Sequence, residues 1–272
     1  MRIFILPLTS TTRMIIAQRT AAAATAAPRI DDRLAARVHK LWTDWEASPT
    51  WWKQRVTTWG RAALDRISYE EATLKSIPRA PPGLFGESLR PPWWRRTWLL
   101  RRTEDDPAAA AALLVARQFK IPLVFPPTLV PPGEAAAMVA AYANEKVPEH
   151  MNKMAWCAVL APLTLPFALL PVVPNVPGFY MLYRIWSHWK AWEGAKLLRR
   201  IVSEDKFSLE PSADLDAIYK RTALAPTPLL LHDGAVAELA RTMGADELTD
   251  ELHRALAQER ARLEKEEAGK EK

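Results

Sequence analysis

The stretch Met154–Tyr183, MAWCAVLAPLTLPFALLPVVPNVPGFYMLY, governs any interpretation of the fold, because its 30 residues include no charged side chain. A membrane-spanning helix needs about 20 mainly apolar residues, so the stretch is long enough to cross a bilayer. Prolines interrupt it, and each one removes a backbone hydrogen-bond donor; they are Pro162, Pro166, Pro171, Pro174 and Pro177. The pattern predicts either a kinked spanning helix from Asn152 to about Val173 or a helical hairpin that turns at Asn175. A buried hydrophobic hairpin in a soluble protein is the remaining alternative.

Charge is distributed unevenly around this stretch. The net charge is +8 over residues 1–153, +4 over residues 184–200 and −6 from residue 201 to the end. A basic excess beside an apolar run favours an anionic membrane surface over nucleic acid, and the sequence has no RNA-binding signature. We therefore expect membrane lipids and other membrane proteins, or a second copy of the chain, as partners, and no nucleic acid.

The chain has 12 tryptophans, several of them next to basic residues. Trp186, Trp189 and Trp192 surround Lys190 in the segment that follows the apolar stretch. Such pairs suit the headgroup layer of a bilayer, although aromatic residues also anchor ordinary helix packing.

The amino terminus allows two interpretations. The first acidic residue is Asp31, and the Arg, Ser, Thr and Ala before it are typical of a mitochondrial transit peptide. Arg2–Leu8 also resembles a short strand stopped by proline, after which Thr9–Thr12 would cap a helix through Arg13–Ala27.

The composition divides the chain into four regions. Residues 1–30 are predicted to hold a strand and a helix with targeting character. Residues 31–153 are basic, Trp-rich and mainly helical, with an irregular Pro/Arg/Trp-rich connector at 79–106. Residues 154–200 hold the membrane segment and an interfacial helix, and residues 201–272 are an acidic helical region. The predicted fold is mainly α: a membrane-attached helical protein with one kinked transmembrane helix or a helical hairpin, flanked by soluble helical regions.

No catalytic motif is present. The sequence has no GxGxxG, P-loop, HExxH or CxxC pair, and its five histidines show no metal-ligand spacing. We therefore expect neither an enzyme nor a bound cofactor or metal, and a soluble enzyme is the weakest alternative.

The candidate functional residues flank the turn of the apolar stretch. Arg184 and His188 lie four residues apart, so a helix places them on one face beside the apolar stretch. They form a narrow stripe opposite a broad apolar and aromatic surface. Ionisable residues near a membrane segment tend to be functional, although both side chains could instead extend to the headgroups. The full candidate set is Pro174, Asn175, Pro177, Gly178, Arg184, His188 and Lys190.

Several motifs resemble the mitochondrial potassium–proton exchange-related proteins. The most specific of these motifs lie between Pro174 and Lys196; they are Pro174–Tyr180, Tyr183-Arg184, Trp186–Lys190 and Gly194–Lys196. Supporting motifs are Arg2–Leu8, Trp59-Gly60, Tyr69–Glu71, Leu74–Pro78, Phe125–Pro127 and Leu129–Pro131. The resemblance favours a retained amino terminus, because one of its motifs begins at Arg2.

The resemblance implies an inner-membrane protein linked to potassium–proton exchange and matrix volume control. Exchangers use several helices with ion sites between repeats, whereas this apolar stretch has no acidic residue and the chain shows no internal repeat. A regulator or accessory subunit is therefore expected, with a membrane-tethered scaffold or assembly factor for other mitochondrial machinery as the alternative.

Overall fold

The computed structural model describes residues 1–18, 37, 40–78, 84–85, 118–169, 176–222 and 228–270. The strands are β1 (Arg2–Pro7), β2 (Arg13–Gln18), β3 (Ile121–Phe125) and β4 (Phe207–Pro211). The helices are α1 (Trp51–Asp65), α2 (Tyr69–Ser76), α3 (Pro132–Leu160), α4 (Val176–Ser203), α5 (Ala213–Thr222), α6 (Asp233–Met243) and α7 (Thr249–Lys270). Short 3₁₀ helices cover Ala161–Leu169 and Asp246–Leu248.

The four strands form one mixed sheet in the order β2-β1-β3-β4. β1 pairs antiparallel with β2 and parallel with β3, and β3 pairs parallel with β4. Residues 40–46 are helical as well. The predicted fold class, a membrane helix or hairpin flanked by helical regions, is therefore wrong: the chain is rich in helix, but its helices pack on a mixed four-stranded sheet.

Helices cover both faces of this sheet. Side chains alternate across a strand, so β1 directs Ile3 and Ile5 to one face and Phe4 and Leu6 to the other. The first face packs against α2, α3 and α4, and the second against α5, α6 and α7. Two buried clusters result, one on each side of the sheet, and this explains why all four of these β1 side chains are buried.

The connection from β3 to the parallel strand β4 runs through an antiparallel pair, α3 and α4, which we call the helical hairpin. Helix α3 continues through Pro148 to Leu160. Proline removes one backbone hydrogen bond from a helix, and here packing against α4 compensates for the loss. Small buried residues make the contact close: Ala135, Ala143, Ala191 and Ala195.

Among the described residues, no helix has both the length and the apolar character needed to cross a membrane. This finding overturns the predicted transmembrane segment over Met154–Tyr183. The described part of the stretch is divided instead between the end of α3, the 3₁₀ helix that holds Pro162 and Pro166, and the start of α4.

Large apolar side chains are exposed where α3 ends and α4 begins. We call this surface the apolar end; it consists of Trp156, Val159, Leu160, Leu163, Leu165, Phe179 and Leu182. Leu163 is 70% exposed and Phe179 is 62% exposed. All seven residues lie in the uncharged stretch that was expected to be a membrane span.

The amino-terminal segment differs from its prediction in one element. The strand expected over Arg2–Leu8 is β1, in the interior of the sheet. The helix expected from Arg13 is absent over Arg13–Gln18, where β2 pairs with β1. Extended backbone is favoured here because Met14, Ile15 and Ile16 are then buried on alternate faces. The remainder of the expected helix, through Ala27, lies outside the described residues, and so does most of the connector at 79–106.

Candidate functional site

Helix α2 connects three other helices through three consecutive side chains. Ser68 caps it by accepting a hydrogen bond from the backbone N–H of Glu70 at 3.3 Å. Consecutive residues on a helix point about 100° apart, so Tyr69, Glu70 and Glu71 face different neighbours. Their partners lie on α7, α3 and α4 respectively.

The Tyr69 hydroxyl donates a hydrogen bond of 2.8 Å to Oε1 of Glu259 on α7. The Glu70 carboxylate lies 2.6 Å from Nζ of Lys146, a largely buried lysine on α3. Lys146 Nζ also contacts Oε2 of Glu149 at 3.0 Å. Burial would lower the pKa of Lys146, but its two carboxylate partners raise the pKa overall, so the ammonium stays charged.

Glu71 is the buried acceptor at the centre of the site. Nη1 of Arg184 donates to its Oε1 at 2.8 Å, and the Ser187 hydroxyl donates a short hydrogen bond to the same oxygen. Burial would raise the pKa of Glu71, but the hydroxyl and the guanidinium together lower it. The pair is therefore an ionised carboxylate and a guanidinium, both largely withdrawn from solvent.

Two buried histidines continue this network from α4 to α3. Nη2 of Arg184 lies 2.9 Å from Nε2 of His188, and Nδ1 of His188 lies 3.2 Å from Nδ1 of His150. Both histidines are 2% exposed. We call Glu71, Arg184, Ser187, His188 and His150 the histidine cluster.

The hydrogen-bond partners determine the tautomers in the histidine cluster. A guanidinium only donates, so Nε2 of His188 accepts and the proton of the neutral ring lies on Nδ1. That Nδ1–H then donates to Nδ1 of His150, whose own proton lies on Nε2. Nε2 of His150 is buried and has no partner within the described part of the chain. The network is consistent only when both imidazoles are neutral.

Electrostatics agrees with this assignment. Burial lowers the pKa of His188 to about 4, and Arg184 contributes in the same direction. Burial also lowers the pKa of His150. Glu71 acts in the opposite direction on both rings, but its charge is shared with Arg184.

Glu71, His150 and His188 also have the composition of a metal site. One ligand atom from each lies within 4.8 Å of the others, and Nδ1 of His188 is 3.7 Å from Oε2 of Glu71. A ligating histidine, however, normally donates its outer N–H to an acceptor. Arg184 is a donor at that position, so it holds the proton of His188 on the nitrogen that faces the other two groups. Its positive charge also opposes a cation. The arrangement therefore fits a hydrogen-bonded cluster better than a metal centre.

The structure brings together two of the candidate residues, Arg184 and His188. The helical stripe that contains Arg184 and His188, together with Ser187 and Ala191, faces inward. Phe179 and Leu182, on the apolar face of α4, are exposed to solvent. The inward polar face is stable because Glu71 and His150 supply partners. Neither partner was a candidate, although Glu71 lies in the Tyr69–Glu71 motif.

The other candidates lie elsewhere. Pro174 and Asn175 are outside the described residues, while Pro177 and Gly178 belong to the first turn of α4. Lys190 lies near the rings of Trp186 and Trp189, with Nζ 5.9 Å and 5.7 Å from their centroids. It contributes to an aromatic and basic surface outside the histidine cluster.

The family described as mitochondrial K+-H+ exchange-related matches residues 2–202, which include the whole histidine cluster and the apolar end. The chain belongs to the mitochondrial K+-H+ exchange-related family. The resemblance carried by the Pro174–Lys196 motifs is thereby confirmed, and the protein is related to mitochondrial K+-H+ exchange.

A curated relative of this K+-H+ exchange-related protein is an uncharacterized protein of Schizosaccharomyces pombe (strain 972 / ATCC 24843). The two are 26% identical over 232 residues, which cover 85% of this chain and 84% of the relative. No solved structure matches.

Proposed function

We propose that this protein is an accessory or regulatory component of mitochondrial potassium–proton exchange, and that its apolar end docks on the lipid surface of the inner membrane without crossing it. The protein acts by binding and not by catalysis. The observation that carries the proposal is the exposure of the apolar end, which gathers seven large apolar side chains at one tip of the helical hairpin.

Exposed apolar patches of this kind mark surfaces that meet a partner. Trp156 is 68% exposed and Leu182 is 60% exposed, so each loses favourable burial while the surface stays in water. The surrounding sequence offers no charge over 30 residues, which suits the hydrocarbon boundary of a bilayer better than a polar protein surface.

Aromatic and basic residues follow the apolar end along α4. Nζ of Lys75 lies 5.5 Å from the ring centroid of Tyr183 and 6.0 Å from that of Trp186, and Lys190 lies beside Trp186 as well. At 1.5 Å per residue, Tyr183 and Trp186 lie about 6–10 Å along the helix from Phe179. When the tip of the hairpin enters the apolar boundary of the bilayer, this spacing brings the tryptophan and lysine side chains to the headgroup layer.

The histidine cluster supports an accessory role over ion transport by this chain. Potassium is bound by oxygen ligands, but Oε1 of Glu71 is occupied by Arg184 and Ser187. The negative charge of Glu71 is compensated by the guanidinium, so the cluster offers a cation little attraction. The uncharged stretch contributes no carboxylate either.

Charging the apolar end is expected to abolish docking. In the double variant Leu163→Glu/Phe179→Glu, two exposed apolar side chains become anionic, which removes apolar contact and repels anionic lipids. Binding to phosphatidylcholine vesicles that contain cardiolipin should fall at least about tenfold in a flotation assay. Leu209→Glu is the matched control, because Leu209 is an exposed apolar residue on β4 outside the apolar end.

The role in exchange is tested by potassium-acetate swelling of mitochondria that lack the protein. We expect altered swelling that the wild type and Leu209→Glu restore and the double variant does not. Unchanged swelling together with altered levels of another complex would overturn the exchange role and favour a scaffold. Equal flotation of wild type and double variant would overturn the lipid-docking surface.

A further inference from the structure

The two imidazoles of the histidine cluster are joined by a hydrogen bond that has no place for an additional proton. A second proton on His188 would sit on Nε2 and face the N–H groups of Arg184 at 2.9 Å. A second proton on His150 would sit on Nδ1 and face the Nδ1–H of His188 at 3.2 Å. Either event sets one donor against another and breaks the contact.

We propose that the His150–His188 pair is an acid-sensitive joint between α3 and α4. Proton uptake by either ring separates the two helices at this point and weakens the salt bridge between Arg184 and Glu71. The contact involves three helices, because Glu71 lies on α2, His150 on α3, and Arg184 and His188 on α4. The apolar end begins within two turns of the joint on both α3 and α4, so the joint lies directly behind the proposed docking surface.

The charged groups around the pair do not favour an imidazolium. α2 contributes Glu70 and Glu71, α3 contributes Lys146, Glu149 and Lys153, and α4 contributes Arg184. Three carboxylates thus face three cations. Cys157, also on α3, is a neutral thiol because burial raises its pKa. Nothing in this balance offsets the cost of desolvating a charged histidine.

The direction of the pH dependence follows from the lowered pKa values. Histidine in the unfolded or opened chain titrates near pH 6.5, while the pKa of His188 in the folded protein is about 4 and that of His150 is also lowered. The opened state therefore binds more protons in the window between pH 6.5 and about 4. The stability of the joint is fully present above pH 6.5 and is lost as the pH falls through that window.

An acid-sensitive joint would make the accessory role in exchange respond to protons. The connection to exchange rests on the proposed function, whereas the joint does not. The joint itself is tested on the isolated full chain by amide hydrogen exchange, corrected for the intrinsic effect of pH. Protection of the α2 backbone, residues 69–76, should fall at least about tenfold between pH 7.5 and pH 5. Unchanged protection would overturn the joint and leave the swelling assay to decide the role in exchange.

The double variant His150→Asn/His188→Gln replaces both rings by amides that donate and accept but do not titrate in this range. It should show the same α2 protection at pH 7.5 and pH 5. His253→Gln, which alters an exposed histidine beside Asp233, should retain the full pH dependence of the wild type. An equal pH dependence in wild type and double variant would contradict the proposal.

A spectroscopic test on the wild type does not depend on whether the double variant folds. Ring ¹⁵N shifts at pH 7 should report the Nδ1–H tautomer for His188 and the Nε2–H tautomer for His150. The His188 ring should remain neutral at pH 6. A charged His188 ring at pH 6, or the opposite pair of tautomers, would overturn the joint.

Discussion

Glu71→Ala is expected to lower the free energy of unfolding by about 3 kcal/mol or more, measured by urea denaturation at pH 7.5. The substitution leaves the guanidinium of Arg184 largely buried without its carboxylate, and it removes the acceptor of the Ser187 hydroxyl. Breaking a buried ion pair by removing one partner costs more than the pair contributes, because the remaining charge is not solvated. The contact between α2 and α4 is therefore expected to weaken.

Glu204→Ala is the matched control for this prediction. Glu204 also pairs with an arginine, since its Oε1 lies 2.6 Å from Nε of Arg200, but that pair is on the surface. Its loss should cost less than about 1 kcal/mol. An equal cost for the two alanine variants would contradict the assignment of Glu71 as a buried anchor.

A compensating double variant distinguishes the destabilisation caused by an unpaired buried charge from that caused by the loss of side-chain volume. Glu71→Leu/Arg184→Met replaces both charged groups by apolar ones, so no buried charge remains without a partner. We expect this double variant to be more stable than Glu71→Ala. A double variant less stable than the single one would show that packing, and not the unpaired guanidinium, accounts for the loss.

Gly194→Ala is expected to lower the free energy of unfolding by about 2 kcal/mol, because α2 and α4 cross in contact at this residue. A Cβ on Gly194 would overlap the carbonyl oxygen of Leu74 and lie 3.1 Å from its carbonyl carbon. Both are backbone atoms, so a side-chain rotation cannot relieve the overlap, and α2 must move away from α4. Such a movement would also lengthen the Glu71–Arg184 contact.

Gly133→Ala makes the same chemical change near the start of α3, where an added Cβ has no atom within 4 Å. It should be neutral or stabilising by up to about 1 kcal/mol, since alanine is the better helix former. Opposite signs for the two substitutions would verify the close crossing of α2 and α4. A stabilised Gly194→Ala variant would refute it.

The sheet was the part of the fold least accessible to prediction. β1 could be predicted because Arg2–Leu8 is a short apolar run that ends at a proline turn. β2 was assigned to a helix because Thr9–Thr12 resembled a helix cap, and β4 went unrecognised because three of its five residues are exposed. Both strands are defined by pairing with other segments. β4 pairs with β3 although the whole helical hairpin separates the two strands in sequence. Local sequence carries little information about such distant parallel pairing.

The candidate site was predicted in part. Arg184 and His188 were selected because they share a helical stripe beside an uncharged stretch, and the structure places them in contact. Their partners were missed, since Glu71 is 113 residues from Arg184 and His150 is 38 residues from His188. The only available signal was the Tyr69–Glu71 motif, which carries no spacing that points to α4.

The sequence by itself determined the family, through motifs between Arg2 and Lys196, and the existence of an uncharged, proline-interrupted stretch. Only the tertiary structure decided which face of α4 is buried. Periodicity assigns the apolar face to the interior, but a polar face can be buried when every group on it finds a partner. Glu71 and His150 arrive from α2 and α3 to provide those partners, so Arg184, Ser187 and His188 lie inside while Phe179 and Leu182 face solvent.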